Sequence, residues 1–494
     1  MPRPLLLIHG YSATGLDFSN LYAELVRRNI DAKLLNVGNY ISLNNEITIA
    51  DISEGLERAI NLTDLKNAEE FDAIVHSTGM LVVRAWLAHQ KIAPGENQRL
   101  ARLKHLIGLA PATWGSPQAH KGRTWLGALV KGNKTPGPDF LNAGDLVLDG
   151  LELASRFTWD LAHTDLLGPM PYFGTGPDTP YVAVFIGNTP YKGLASVADD
   201  PGTDGTVRWS GCGLNTRKIT LDLTQTPTDA EGHPRERVTM SEWANDSRLD
   251  VPILAVNNRD HGSLISNPDP EMVDRIVSFL GIADSGQYNS WLSEAQNWST
   301  PARQEMLKSK GHLFTFWETK DLDGWQQFVV RALDGHGDPV TDYMIEVFEL
   351  GPDGETWTRA EEISVDVHPY GKDPSYRSLH VQLPKGITTT PRPMQIRFQA
   401  STGTQVVTYQ GYGTDNSKME MRADSDPVTI DITAPLKDKN ATLFFPFTTT
   451  LVEVVVNRVP YPFDKVEGIF VWLPPPSPPP PPSPPSPAPA GTTG

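Results

Sequence analysis

The chain has 494 residues, a net charge of −17 at pH 7, 39% hydrophobic residues and 20% charged residues. Since this length exceeds what one ordinary hydrophobic core contains, we expect at least two domains. The acidic balance argues against nucleic acid or an anionic membrane as the partner. A single cysteine, Cys212, excludes an intramolecular disulfide framework and a thiolate metal site.

The chain contains no run of about 20 apolar residues, so we expect no transmembrane segment. Its first apolar run, residues 4–9, is short and leads directly into Gly10, which is unlike a signal peptide. A cytoplasmic protein is therefore the default expectation. A secreted protein whose leader has been removed is the alternative.

Residues 1–283 alternate short apolar runs with amphipathic helical patterns. This alternation is typical of a parallel sheet covered by helices, and we assign it to an α/β domain. The predicted strands are 4–9, 31–37, 71–76, 106–110, 181–186 and 251–256, and the predicted helices are 15–28, 48–66, 78–90 and 270–280.

Residues 112–180 interrupt the alternation and are rich in aromatic side chains. An insertion at the carboxyl ends of the strands can form a lid over an apolar pocket. The alternative is that its aromatic residues pack the insertion's own core. We expect a helical lid that contacts substrate through Trp114, Trp125, Phe157 and Trp159.

Beyond residue 310 the helical periodicity fades, and short alternating strands separated by turn residues follow. This pattern predicts an all-β domain, an antiparallel sandwich at residues 311–473, joined to the first domain by a helical linker at 284–310. Residues 474–489 are almost all proline and serine, which predicts a disordered, extended tail at 474–494. The sandwich could bind a polymer or a surface, contact the lid, or stabilise the fold.

The strand at 71–76 turns into a helix through Ser77. Such a turn can present a hydroxyl at the edge of the sheet, and its usual pattern is G-x-S-x-G, since strand and helix approach closely around a strained serine. Gly79 fits this pattern and Val75 departs from it. The alternative is a serine that only caps the helix. We predict that Ser77 is a nucleophile.

Oxyanion donors are expected next to this serine. The residue after a nucleophilic serine supplies one backbone N–H, here Thr78, and the loop after the first strand supplies another. Residues 9–11 form that loop, and Tyr11 is the predicted second donor. A plain tight turn at His9 and Gly10 is the alternative.

A catalytic base should follow the last strand of the sheet, where sites form in open α/β sheets. His261 lies directly after the strand at 251–256. His233 is the competitor, but residues 231–234 have the pattern of an exposed turn. His76 adjoins Ser77 in the chain and is expected to point away from it.

The carboxylate that orients the base should lie between Ser77 and His261 in the chain. Among the acidic residues of 198–207, Asp204 is preferred because the sequence Asp-Gly-Thr-Val places it on a tight turn before an extended run. Asp199 and Asp200 are left as turn residues or a cation site.

Four segments together resemble the α/β-hydrolases of the bacterial lipase and esterase type. They are residues 7–11, 76–84, 204–207 and 260–264, and they occur in that family's order of oxyanion loop, serine, aspartate and histidine. The resemblance covers residues 1–285. Residues 310–473 are assigned to no family. It implies a serine nucleophile, an acyl-enzyme and an ester substrate.

The sequence thus predicts a carboxylic-ester hydrolase that uses Ser77, His261 and Asp204 and needs no cofactor or metal. Its expected substrates are hydrophobic acyl esters, small or polymeric, including esters at a lipid or polymer surface. A phospholipase, a polyester hydrolase and an acyltransferase would use the same triad. A binding protein that kept the fold and lost catalysis is the rival from another class.

Overall fold

The structure is a computed structural model. It describes residues 3–8, 18–35, 46–88, 98–121, 145–169, 172–174, 179–191, 201–241, 251–310, 319–360, 363, 365–389, 393–404, 406–413, 416–421, 428–431, 443–460, 469, 473, 475–481 and 483.

The strands, numbered in chain order, are β1 Leu5–Ile8, β2 Ala32–Leu35, β3 Phe71–His76, β4 Leu103–Leu109, β5 Tyr181–Gly187, β6 Thr216–Asp222, β7 Val238–Met240, β8 Ile253–Val256, β9 Lys308–Lys310, β10 Thr319–Asp334, β11 Tyr343–Leu350, β12 Trp357–Arg359, β13 Val365–Pro369, β14 Tyr376–Pro384, β15 Met394–Ala400, β16 Val407–Tyr412, β17 Lys418–Met421, β18 Val428–Asp431 and β19 Thr449–Pro460. The α-helices are α1 Ser19–Arg27, α2 Ile49–Asn61, α3 Gly79–Ala88, α4 Gln98–Arg102, α5 Pro117–Lys121, α6 Asp145–Leu151, α7 Arg156–Asp165, α8 Ser263–Ser266, α9 Pro270–Leu280 and α10 Ser285–Met306.

The first sheet has six parallel strands in the order β2-β1-β3-β4-β5-β8, which confirms the predicted parallel sheet. Every residue of β1, β3, β5 and β8 is buried. Strands with continuous apolar runs are expected where helices cover both faces of a parallel sheet. The described helices α1, α2, α3, α9 and α10 bury their apolar residues in the same core as these strands.

The helix boundaries follow from local capping. Thr48 Oγ1 accepts a hydrogen bond from the Asp51 backbone N–H at 3.1 Å, and Asp51 Oδ2 accepts one from the Thr48 N–H at 2.9 Å. This reciprocal pair satisfies two of the amides that a helix leaves free at its first turn. At α9 the Asp269 carboxylate accepts from the Glu271 and Met272 N–H groups, and Pro270 is the first helical residue.

The segment predicted as a linker is the helix α10, and it packs on the last strand of the first sheet. Ser299 Oγ accepts from the Ala255 N–H at 2.6 Å and donates to the Ala255 carbonyl at 3.2 Å. Asn188 Nδ2 also donates to the Ala302 carbonyl at 3.2 Å. Since β8 is the edge strand, α10 satisfies backbone groups that would otherwise remain open to pairing.

Two further sheets form the C-terminal region. One has the path β13-β14-β10-β19-β16-β17 and also includes β6, β7 and β9, and the other has the order β12-β11-β15-β18. Residues of both sheets pack in one apolar cluster that includes Val330, Leu379, Tyr343 and Phe398. The predicted all-β region is confirmed. The prediction of an antiparallel arrangement is wrong at two pairings, because β10 and β6 both pair with β19 in parallel.

Two strands of this C-terminal sheet come from the range assigned to the first domain. β6 pairs in parallel with β19, from Thr216 opposite Thr449 to Asp222 opposite Val455, and β7 pairs with β6. β19 therefore lies between β10 and β6. Hydrogen bonds of a continuous sheet thus cross the domain boundary placed at residue 283.

Removal of residues 311–494 should therefore prevent stable folding. It would remove the partner strand of β6 and expose Ile219 and Leu221, which are buried in the C-terminal apolar cluster. We expect aggregation and no cooperative melting transition, measured by size-exclusion chromatography and circular dichroism. Truncation after residue 473 is the control and should leave the melting temperature unchanged, since residues 475–481 are exposed. A monomeric 1–310 fragment that melts cooperatively would contradict this prediction.

Candidate active site

Ser77 lies on a strained turn between β3 and α3. Its φ angle is 54°, in the left-handed region that non-glycine residues rarely occupy. Its N–H donates to the Leu109 carbonyl at 3.2 Å, and its carbonyl accepts from the Ala112 N–H at 3.0 Å. Backbone hydrogen bonds to the end of β4 therefore hold the serine in this conformation at the carboxyl edge of the sheet.

The structure explains how Val75 fits where glycine is usual. A Cβ atom added to Gly79 would lie 3.0 Å from the Ile8 carbonyl oxygen and 3.3 Å from Val75 Cβ. The fully buried Val75 side chain thus uses space that the missing side chain of Gly79 leaves open. The turn accommodates the branched side chain of Val75 because the residue that packs against it across the strand–helix junction is Gly79, which has no side chain.

The predicted base and carboxylate are in direct contact. His261 Nδ1 lies 3.0 Å from Asp204 Oδ2, and both side chains are buried. Asp204 Oδ1 accepts from the N–H groups of Thr206 at 3.0 Å and Val207 at 2.9 Å. With the Nδ1 hydrogen donated to the carboxylate, His261 Nε2 is left as the proton acceptor.

Glycines at the ends of the strands allow the two loops to approach each other. A Cβ on Gly187, the last residue of β5, would collide with the carbonyl of Arg259 in the His261 loop. Gly205 has a φ of 98°, and a Cβ there would collide with the Tyr191 ring. Gly187 therefore allows the His261 loop to approach the end of β5, and Gly205 allows the turn that carries Asp204 to pack against Tyr191.

Neither a protein-family model nor a curated protein sequence matches the chain. Among solved structures, phospholipase PlaB from Legionella pneumophila is similar at 19% identity and a TM-score of 0.68, over 93% of this chain and 94% of that chain. PlaB in complex with thio-NAD is similar at 20% identity and a TM-score of 0.68, over 92% and 94% of the two chains. The mature lipase BlEst2 from Bacillus licheniformis has 14% identity and a TM-score of 0.37, over 56% and 91%.

The chain has an α/β-hydrolase fold. The likeness to PlaB extends over the C-terminal sheets as well as the parallel sheet, because it covers 93% of this chain. Among the described residues of the chain, no group of three or more His, Cys, Asp or Glu side chains could hold a metal ion. None of its described helices has the length and apolar character needed to cross a membrane.

A second histidine lies against the base. The His76 and His261 rings have centroids 4.7 Å apart, and His76 Nε2 lies 3.0 Å from the His261 carbonyl oxygen. His76 therefore donates to the backbone of the loop that carries the base. The sequence analysis considered His76 only as a neighbour of Ser77 and missed this contact, which joins residues 185 positions apart.

The C-terminal strands support the loop that carries Asp204, residues 201–212, here called the acid loop. Arg208 is buried, donates to Ser378 Oγ at 3.0 Å and forms an ion pair with Asp366. Thr449 Oγ1 donates to the Ser210 carbonyl at 3.0 Å. The acid loop is thus hydrogen-bonded to β13, β14 and β19.

His380 provides a further contact to the acid loop. Its Nε2 lies 3.2 Å from the Pro201 carbonyl and its Nδ1 lies 3.3 Å from Ser210 Oγ. Its ring stacks on Trp325 with centroids 4.9 Å apart. Burial, assisted by the charge of Arg208, lowers the pKa of His380 well below its ordinary value, so the ring is neutral.

A buried ion pair joins the nucleophile helix to the insertion. Arg84 on α3 donates from Nε and Nη2 to the two carboxylate oxygens of Asp165 at 2.7 and 2.9 Å, and from Nη1 to the Thr113 carbonyl at 2.7 Å. Burial raises the pKa of Asp165, and Arg84 opposes that shift. Removing one partner of such a pair typically costs about 3–5 kcal/mol, since the other charge stays buried.

Three of the four aromatic residues predicted to contact substrate lie in the described part of the chain, in different settings. Trp114 is fully buried, with its indole N–H donating to the Gly213 carbonyl at 3.1 Å, and Trp159 is buried against Tyr376. Phe157 is half-buried against the core. Their contact with substrate stays a prediction, and so does the lid.

Several predicted residues lie outside the described part of the chain. These are Trp125, the oxyanion-loop residue Tyr11, and the acidic residues Asp199 and Asp200. Thr78, the other predicted oxyanion donor, is described and buried directly after Ser77.

Acid should destabilise the protein partly through His380. The unfolded chain binds a proton at this side chain below about pH 6.5, whereas the folded chain does not, so stability falls as the pH drops below 6.5. His380→Gln keeps a donor for the Pro201 carbonyl and removes the titration. We expect a smaller decrease in melting temperature between pH 7 and pH 5 than in the wild type. His233→Gln, at an exposed histidine, should match the wild type. Equal pH dependence in the wild type and His380→Gln would refute this assignment.

Proposed function

We propose that the chain is a serine carboxylic-ester hydrolase. The observation that carries this proposal is the buried 3.0 Å contact between His261 Nδ1 and Asp204 Oδ2. Ser77 supports it, because a serine with a φ of 54° follows β3, a further strand of the same parallel sheet. The three side chains follow three strands whose carboxyl ends meet at one edge, as acyl transfer requires.

The proposed reaction has two halves. His261 Nε2 takes the proton of Ser77 Oγ as that oxygen attacks the acyl carbon, and Asp204 orients the imidazole and stabilises its charged form. The tetrahedral intermediate collapses, and His261 gives its proton to the leaving alcohol. Water then attacks the acyl-enzyme, again activated by His261, and the carboxylic acid leaves as Ser77 is regenerated.

Backbone amides are proposed to stabilise the oxyanion. The Thr78 N–H follows the nucleophile directly, and the Tyr11 N–H is the second proposed donor. Loss of one such donor typically raises the barrier by about 2.7–4 kcal/mol. No metal or organic cofactor takes part in the proposed reaction.

The proposed substrate class is hydrophobic acyl esters. The basis for this choice is the aromatic character of the insertion at residues 112–180, in which Phe157 is half-buried and Trp114 and Trp159 are buried. A phospholipid acyl ester is a second candidate, because PlaB, which is similar over almost the whole chain, is described as a phospholipase.

Loss of the nucleophile or of the orienting carboxylate should remove activity without unfolding the protein. We expect no hydrolysis of p-nitrophenyl esters by Ser77→Ala and a decrease in kcat of about 10⁴-fold for Asp204→Asn. Asp260→Asn is the matched control, because Asp260 adjoins His261 but accepts from the Ser263 N–H, at 2.8 Å. It should retain most of the activity.

Two further measurements accompany these variants. Melting temperatures near that of the wild type would show that the variants fold. A fluorophosphonate probe should label the wild type at Ser77 and leave Ser77→Ala unlabelled. Full activity of Ser77→Ala would disprove the mechanism, and an unlabelled wild type would favour the binding protein that lost catalysis.

The substrate class can be tested with an acyl-chain series. We expect kcat/KM for p-nitrophenyl esters to rise from acetate to medium or long acyl chains, since each buried methylene contributes about 0.8 kcal/mol. Release of fatty acid from phosphatidylcholine vesicles tests the phospholipid candidate in parallel. A maximum at acetate, with no release from vesicles, would rule out the hydrophobic-ester assignment.

A further inference from the structure

The two facing sheets of the C-terminal region enclose a cavity whose lining includes none of Ser77, Asp204 and His261. It has a volume of about 210 Å³. Of the 21 lining residues 19 are apolar, so a ligand inside it meets almost no hydrogen-bonding side chain. The lining includes Phe328 and Val330 on β10, Val381 on β14, and Ile396 and Phe398 on β15.

The chemistry of the lining selects an apolar occupant. An engineered cavity of about 150 Å³ lined by Leu, Ile and Phe stays free of water and binds benzene, because water finds no polar partner there. The present cavity is larger, and its lining is apolar except for Glu346 and Arg359. Side chains that line an apolar cavity lack van der Waals contacts on the cavity side. An apolar ligand would supply these contacts.

The cavity reaches solvent along β13. Val365 and Val367 line it and are nevertheless 37% and 47% exposed. The alternate residues of the same strand face the first domain, where Asp366 pairs with Arg208 and His368 lies 3.0 Å from Glu152 Oε1. β13 therefore separates the open side of the cavity from the acid loop and the insertion.

The charged lining residues are Glu346 and Arg359. Arg359 Nη2 lies 3.7 Å from Glu346 Oε1, and the Arg359 side chain is 70% exposed whereas that of Glu346 is 22% exposed. The more accessible charge at the rim is thus a guanidinium, which binds carboxylates. A ligand with an apolar chain and an anionic end matches this arrangement.

We propose that this cavity binds one long-chain fatty acid, with its alkyl chain between the two sheets and its carboxylate beside Arg359. The chain contacts Val381 and Ile396 on opposite sheets and passes Val365 and Val367 at the opening. Binding here requires no ester cleavage and so is independent of the function proposed for Ser77.

The test is fluorescence titration of the full-length Ser77→Ala protein with cis-parinaric acid, followed by displacement with saturated fatty acids. We expect one saturable site and tighter binding by about fourfold for each added methylene from decanoate to palmitate. Absence of saturable binding, or affinity independent of chain length, would overturn the proposal.

Variants locate the site. Val381→Phe and Ile396→Phe fill the cavity from opposite sheets, and each should weaken parinarate binding at least tenfold on the Ser77→Ala background. Val26→Phe makes the same change as Val381→Phe at an exposed position on α1 and should leave binding unaltered. If either cavity variant melts cooperatively and binds parinarate as tightly as the control, the ligand does not occupy this cavity.

The position of the carboxylate has its own test. Arg359→Gln should weaken displacement by palmitate several-fold and leave displacement by hexadecanol unchanged, since the alcohol carries no charge. Equal effects on both ligands would overturn the placement of the carboxylate at Arg359. Displacement by palmitoyl-lysophosphatidylcholine but not by palmitate would overturn the fatty-acid assignment in favour of a lysolipid.

Discussion

The parallel pairing of β6 with β19 is the interaction on which the rest of the structure depends. The acid loop ends at Cys212 and β6 begins at Thr216, so only three residues separate the loop from the strand. β19, far along the chain, lies between β6 and β10. The loop that presents Asp204 therefore has its final support only after the C-terminal strands have joined the sheet.

This arrangement makes the C-terminal region a structural part of the candidate site. Arg208, Ser210 and Pro201 of the acid loop all bond to side chains of the C-terminal strands. Gly202 has a φ of 76°, and a Cβ there would lie 2.6 Å from His380 Nε2. A module added only to bind a surface would not need packing this close to the orienting carboxylate.

The strained turn at Ser77 illustrates the same dependence on surrounding contacts. A left-handed non-glycine residue costs about 1–3 kcal/mol, and it persists only where neighbouring structure holds it. Here the end of β4 supplies two backbone hydrogen bonds, and the helix that follows is fixed by the Arg84–Asp165 pair. The insertion therefore stabilises the helix that begins at the nucleophile, whatever part it has in binding substrate.

Much of the fold could be predicted from the sequence, because apolar runs, turn residues and chain order are local signals. They predicted the strands of the parallel sheet to within a few residues and placed Asp204 and His261 after two of them. The contact of His76 with His261 could not be predicted, since nothing near residue 76 indicates which distant loop will cover it. The same holds for His380 and Arg208, whose side-chain hydrogen-bond partners lie 158 or more residues away.

The sequence by itself determined the parallel sheet and the order of serine, aspartate and histidine. From several acidic residues and histidines it also selected Asp204 and His261, whose side chains lie 3.0 Å apart. Only the tertiary structure decided that β6 joins the C-terminal sheet, that this sheet is mixed, and that Val75 fits against Gly79. The physical reason is that strand pairing and close packing depend on which surfaces meet across hundreds of residues, whereas propensity and periodicity act over fewer than about 20.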